Sequence, residues 1–197
     1  MPFLKSVDHG VFFWLNGLAG GPLDYCLAWT TFLITPLIFI FVLIHMFIWD
    51  GDGVLKKFTW VLILGAAGGV LAPQLIKHLV DRPRPFNAFY DEIAQGKVIV
   101  HTTFQLYLSN SFPSGHAALV FAVVTALNLI YKNKLLWLYP VAAVLAITRV
   151  YVGAHFPSDV LAGAMAGIAG VWITYPWLKR FCKTGARCRC APVLLND

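Results

Sequence analysis

The chain has 197 residues, 59% of them hydrophobic and only 12% charged, with a mean hydropathy of +0.72 and a formal net charge of +6. A soluble domain carries about twice that charged fraction, so the composition excludes a water-covered globule and points to an integral membrane protein built as one compact bundle. Nor does the positive charge imply nucleic acid, because basic residues in a membrane protein mark its cytoplasmic side.

The N-terminal MPFLKSVDHG lacks the basic-then-apolar order of a secretory signal. From Val7 to Leu18 the apolar run is too short to span. Phe12, Phe13 and Trp14 beside Asp8, His9 and Asn16 predict an amphipathic helix lying at the membrane interface. AGGP at 19–22 ends it. Apolar runs follow at 25–49, with Pro36 as a kink, and at 58–79, 116–131, 135–153 and 159–178; the middle one starts earlier, near Ser114. Each approaches the ~20 residues a helix needs to cross the hydrocarbon core. The expected fold is all-α: a bundle of five to six transmembrane helices plus the N-terminal interfacial helix, with five spans preferred. The whole chain, 1–197, reads as a single domain without repeats.

With five spans, the loops 50–57 and 132–134 and the basic tail 179–197 fall on one side. They hold Lys56, Lys57, Lys132, Lys134, Lys179, Arg180, Lys183, Arg187 and Arg189, so that side is expected to be cytoplasmic and the N-terminus outside. Cys182, Cys188 and Cys190 lie in this tail and match no zinc pattern; free thiols are the simpler expectation. GAAGG at 65–69 and GAMAG at 163–167 have the spacing of close helix contacts.

The same topology brings three polar segments to the outer ends of three spans: Lys77 with DRPRP, then PSGH at 113–116, then Thr148-Arg149 with VGAHFPSD. Lys77, Arg84, Ser114, His116, Arg149, His155 and Asp159 should therefore share one membrane depth. Ionisable groups there are expensive and usually functional. A Lys, two Arg and a Ser hydroxyl suit a phosphate dianion. Ser114 can cap the helix that follows, Gly115 lets a ligand approach the backbone, and the first N–H groups make an anion seat. Asp159 can accept from one nitrogen of His155 and leave the other aimed at substrate. His116 supplies a second imidazole, so one group can attack phosphorus and another protonate the leaving oxygen. Taken singly, Lys77 and Arg149 could merely snorkel and either His could be structural; the joint spacing favours a site. The motif spacing leaves Arg82 and His78 without a role, with help in binding a headgroup as their alternative; His9, His45 and His101 read as structural, and Asp81 and Asp91 as optional partners of the arginines.

In order and spacing, K-x6-R-P from Lys77 to Pro85, P-S-G-H at 113–116 and R-x5-H-x3-D from Arg149 to Asp159 resemble the three signatures of the type-2 phosphatidic acid phosphatase superfamily. Thr148 stands where the third signature usually has Ser. The motif core, 77–159, covers under half the chain. The resemblance implies a membrane phosphatase with its site at the outer interface, acting on a lipid phosphomonoester or diphosphate without metal or other cofactor. His155 would form a phosphohistidine, Asp159 would orient it and His116 would protonate the leaving group. Lys77, Arg84, Ser114, Gly115 and Arg149 would hold the phosphoryl oxygens. The expected partners are the lipid and the bilayer, and not nucleic acid; the expected location is a bacterial plasma membrane. The rival expectations are a headgroup-binding or transport protein that cleaves nothing and an oxidative vanadium enzyme.

Overall fold

A computed structural model describes residues 2–29, 33, 37, 40, 44, 76, 77, 79–102 and 110–184. Most of the first two expected spans, the loop 50–57, His45, His78 and the tail beyond Thr184 lie outside the described residues. Among those described the structure is helical and contains no strand. The helices are α1 (Pro2–Asn16), α2 (Leu23–Trp29), the short α3 (Pro85–Ala88) and α4 (Tyr90–Ala94), and then α5 (Gly115–Ile130), α6 (Leu138–Tyr151) and α7 (Pro157–Thr184).

The body is α5 laid against α7, with α6 alongside. Small residues make this possible. Ala117, Ala118, Ala122 and Ala126 of α5 are fully buried. A Cβ on Gly163 would stand 2.2 Å from the Ser114 carbonyl oxygen, and one on Gly167 2.1 Å from that of Ala118. Only hydrogen fits at those two positions, so the backbones of α5 and α7 approach directly, as in small-residue membrane helix contacts. The large apolar side chains point outward instead: Val141, Val144, Ile147, Leu161, Met165, Trp172 and Ile173 are all exposed. Such a surface suits lipid rather than water.

One described helix, over Pro157–Pro176, is long and apolar enough to cross a membrane. α5 keeps the 16 residues of its apolar run, and α6, at 14 residues, is shorter than the run at 135–153. The loop between them explains the shortfall. Lys132 and Asn133 take positive φ, which ends the helix. The Asn128 side chain then clasps Leu135, donating to its carbonyl at 3.1 Å and accepting its N–H at 3.1 Å.

α1 starts five residues earlier than the apolar run and differs from expectation in its faces. Asp8, Phe12 and Asn16, spaced by four, all turn inward; Phe12 is fully buried, in one core with Ala117, Ala146, Val150, Phe156 and Val160. Asn16 donates to the carbonyls of His101 and Tyr151, both at 2.8 Å, and accepts the His101 N–H at 2.9 Å. Phe3, Leu4, Val7, Val11 and Trp14 are left exposed. A polar clasp faces in and a greasy stripe faces out.

Candidate active site

The start of α5 is built from its cap upward. Ser114 is extended (φ −72°, ψ 112°), and its Oγ accepts the Ala117 N–H at 3.5 Å. The Ser114 N–H donates to the Asp159 carbonyl at 2.9 Å, which locks the two helix starts together. Among the described residues, the N–H groups of Gly115 and His116 have no protein acceptor. They emerge at the positive end of the helix dipole. A Cβ on Gly115 would meet no atom within 4 Å, so the space beside this start is open.

The connection from α6 to α7 carries His155. The N–H groups of Ala154 and His155 both donate to the Arg149 carbonyl, at 3.0 and 3.2 Å, folding the turn back over the end of α6. His155 is only 2% exposed. Its Nδ1 lies 2.9 Å from the Ser111 carbonyl oxygen, a contact that places the proton on Nδ1 and leaves the Nε2 lone pair for a ligand. The Asp159 carboxylate is 3.8 Å from Nδ1, within ion-pair range but beyond a hydrogen bond. The direct His155–Asp159 hydrogen bond expected from sequence is therefore replaced by one to the Ser111 backbone. Ser111 also donates its hydroxyl to Asp159 Oδ2, and the Phe156 N–H reaches the same oxygen at 2.9 Å. Burial pushes the His155 pKa down to about 4; Asp159 opposes that shift, and the charges of Arg84 and Arg149 add to it.

Hydrogen bonds join the three motif segments. The Asn110 amide donates to the Lys77 carbonyl at 2.7 Å, the Ser111 N–H donates to the Arg82 carbonyl at 2.8 Å, and buried Arg84 donates to the Ala154 carbonyl at 2.9 Å. Lys77, Arg84, Arg149 and His155 all act electrostatically on His116, and Lys77 also senses Asp159. The eight candidate residues thus converge from three distant stretches. Arg149 is buried and His116 is partly open. Thr148 turns its hydroxyl onto the Leu145 carbonyl of its own helix at 2.7 Å.

Three residues of this region were not singled out by sequence. Ser111 is fully buried against His155 and Asp159. Arg82 donates to Asp159 Oδ1 at 2.6 Å, to Ser158 Oγ at 2.7 Å and to Asp8 Oδ2 at 2.5 Å. Asp8 is the third. The only prior signal was position: Ser111 stands two residues before Pro113, and Arg82 two before Arg84. His9 packs between Phe89 and Phe156, with ring centroids at 4.9 and 5.2 Å. Among the described residues no group of three or more His, Cys, Asp or Glu side chains could hold a metal ion.

Comparison with known proteins bears on the same segment. The model of the PAP2 superfamily matches residues 58–182, a range that includes every candidate position from Lys77 to Asp159. A lipid A 1-phosphatase of Rhizobium johnstonii is 34% identical over 125 residues, covering 63% of this chain and 48% of that protein. An undecaprenyl-diphosphatase of Sulfolobus acidocaldarius is 29% identical over 125 residues, 61% of this chain and 53% of that protein. The crystal structure of Aquifex aeolicus LpxE matches with a TM-score of 0.66 and 28% identity, over 85% of this chain and 93% of that one. The chain spans about half the length of these two curated relatives.

Proposed function

The chain belongs to the PAP2 superfamily, and on that footing we propose that it is a membrane phosphatase that hydrolyses a lipid phosphomonoester or diphosphate through a phosphohistidine on His155. The observation that carries this is the meeting of two imidazoles, His116 and His155, with Lys77, Arg84 and Arg149 around the open start of α5. Binding alone would need only the cations. The second imidazole and a buried carboxylate behind the first supply what bond cleavage needs.

In this mechanism the phosphoryl group sits on the N–H groups of Gly115 and His116 and on the Ser114 hydroxyl, flanked by Lys77, Arg84 and Arg149. His155 Nε2 attacks phosphorus. The bond to the leaving oxygen breaks as protonated His116 gives that oxygen its proton. The phosphorylated ring gains positive charge, which the Ser111 carbonyl and the Asp159 carboxylate stabilise. Water then attacks phosphorus, giving a proton to His116. Inorganic phosphate leaves, with both imidazoles restored. The cations and the helix dipole act mainly on the charge that builds on the equatorial oxygens.

The relatives named lipid A 1-phosphatase and undecaprenyl-diphosphatase keep both monoester and diphosphate substrates in view. The candidates are phosphatidylglycerophosphate, phosphatidic acid, undecaprenyl diphosphate and the 1-phosphate of lipid A. The pocket faces the outer side of a plasma membrane, with the basic loops and tail cytoplasmic. α1 lies in the interface with Phe3, Leu4, Val7, Val11 and Trp14 toward lipid.

The test is phosphate release from the four lipids in detergent micelles, with and without a chelator. The wild-type protein is expected to turn over at least one lipid at an unchanged rate in chelator. His155→Ala should lose at least ~10⁴-fold while remaining folded. Every lipid recovered intact from the wild type would make the pocket a headgroup seat instead of an enzyme site.

A further inference from the structure

Asp159 is fully buried, so its charge needs partners inside the protein. Its two oxygens are held differently. Oδ2 takes the Ser111 hydroxyl and the Phe156 N–H and faces His155. Oδ1 takes Arg82 at 2.6 Å. Arg82 is itself fixed on three sides: Asp8 Oδ2 at 2.5 Å, Ser158 Oγ at 2.7 Å, and the Phe156 ring, whose centroid is 4.3 Å from the guanidinium carbon. Asp8 closes the ring by accepting the Ser158 N–H at 2.8 Å and the Ser158 hydroxyl at 2.7 Å.

We propose that Arg82, clamped by Asp8 of α1, is a positioning residue that fixes the Asp159 carboxylate, so that the N-terminal helix sets the geometry of the His155 nucleophile. The inference rests on the phosphatase reading and deepens it. The planar fork of an arginine can bind Asp159 with one nitrogen and Asp8 with the other; a lysine, as a point charge, cannot reproduce both bonds. With Oδ1 tied down, Oδ2 cannot rotate away from Ser111 and His155. Arg82 also approaches Asp159 from outside the phosphate pocket. It lines an open cavity of about 600 Å³ with Lys5, Asp8, His9, Phe156 and Ser158, and Lys77, His116, Arg149 and His155 are absent from that wall. The two arginines of DRPRP thus bracket the nucleophile's turn, Arg84 holding the carbonyl of Ala154 and Arg82 the carboxylate of Asp159.

The experiment measures kcat, KM and inhibition by inorganic phosphate for the full chain in micelles, using whichever of the four lipids turns over fastest. Arg82→Gln is expected to lower kcat about 100-fold, the scale of a displaced catalytic group, with KM and the phosphate inhibition constant within about two-fold. Asp8→Asn should lower kcat about ten-fold, and the double variant should be no slower than Arg82→Gln, because both act through one linkage. Should Arg82→Gln not fold, Arg82→Lys and Asp8→Asn carry the same split, each losing kcat and not KM. A raised KM with kcat retained would make Arg82 a headgroup ligand and overturn the inference. Wild-type kcat in the single variants, or effects that multiply in the double, would overturn it as well. If the wild type releases phosphate from none of the lipids, the functional reading fails and takes this inference with it; wild-type turnover with unaffected Arg82 variants defeats this inference alone.

Discussion

Two helices of this chain begin on nearly the same residues: Phe-Pro-Ser-Gly at 112–115, which enters α5 only at Gly115, and Phe-Pro-Ser-Asp at 156–159, which enters α7 already at Pro157. Both starts expose N–H groups and the positive end of a dipole. At α7 the protein answers that demand itself, since Asp8 takes the Ser158 N–H at 2.8 Å and Asp159 takes the Phe156 N–H at 2.9 Å. At α5 the Gly115 and His116 N–H groups meet no protein acceptor among the described residues, and the space beside Gly115 is open. A helix start becomes a seat for a foreign anion only where the chain withholds its own. At α7 the acceptors come from two places, Asp8 of α1 and Asp159 two residues into the helix, and no described side chain does the same for Gly115 and His116.

The comparison can be broken most severely by giving α5 the residue α7 has. Gly115→Asp would place a carboxylate in the proposed phosphate seat. We expect kcat/KM for lipid phosphate to fall about 100-fold, ~2.7 kcal/mol, with most of the loss in KM. Gly115→Ala is the control. Its methyl group meets no protein atom within 4 Å, so this variant should melt as the wild type does, and its smaller loss of phosphate binding measures the bulk of a methyl group without the charge. A Gly115→Asp protein with wild-type KM would mean that the start of α5 does not hold the phosphoryl group.

A smaller effect sharpens the comparison by moving the two starts apart. Gly163→Ala and Gly167→Ala each drive a methyl group into a carbonyl oxygen of the α5 strand of backbone, at 2.2 and 2.1 Å as the chains now stand. Both should lose about 1–3 kcal/mol of stability, read as thermal unfolding in detergent. They should differ in activity. Gly163 presses on Ser114, whose N–H is bonded to the Asp159 carbonyl, so displacement there spreads to both starts. Gly167 presses on Ala118, one turn further in. We expect folded Gly163→Ala to lose kcat about ten-fold and folded Gly167→Ala to keep it. Equal kcat in the two variants would mean the starts tolerate a shift.

These glycines were legible in the sequence as helix contacts, and the starts of α5 and α7 followed from Ser114 and Pro157, whereas α7 runs on to Thr184, past the expected end at 178. The motif positions were legible too, because the spacing of charged residues around apolar runs leaves few topologies in which they are not together. What could not be read was which side chain completes which. Arg82 and Arg84 are two residues apart with the same chemistry; the K-x6-R-P spacing selects Arg84 and gives Arg82 no task. Arg84 finds a carbonyl 70 positions away and Arg82 a carboxylate 77 positions away, so only the folded chain assigns them. Ser111 was hidden for the same reason: its carbonyl takes the place beside His155 that chemistry alone gives to Asp159. α1 misled in another way. Separating its polar from its apolar residues assumes that one class faces in, whereas Asp8, Phe12 and Asn16 face in together, the polar groups fully bonded and the aromatic ring packed between them.

The mildest test leaves the sequence alone and asks about the group between the two starts. His155 has been taken out of water, which disfavours its cation, and Arg84 and Arg149 repel a further positive charge; only Asp159 works the other way. Its pKa should therefore be about 4, against roughly 6.5 for an exposed imidazole. Histidine-labelled protein in micelles, followed by nitrogen NMR, should show His155 neutral at pH 5 with Nδ1 protonated and Nε2 bare, titrating only near pH 4. The sign carries over to stability. Between about 6.5 and 4 the unfolded chain binds a proton that the folded site refuses, so this contribution is whole above pH 6.5 and is lost as the pH falls through that window. Arg84→Met should move the midpoint upward by removing one of the repelling charges. A midpoint near 6.5 in the wild type would instead place His155 in water, and a nucleophile half-protonated near neutrality would no longer fit attack by a bare Nε2.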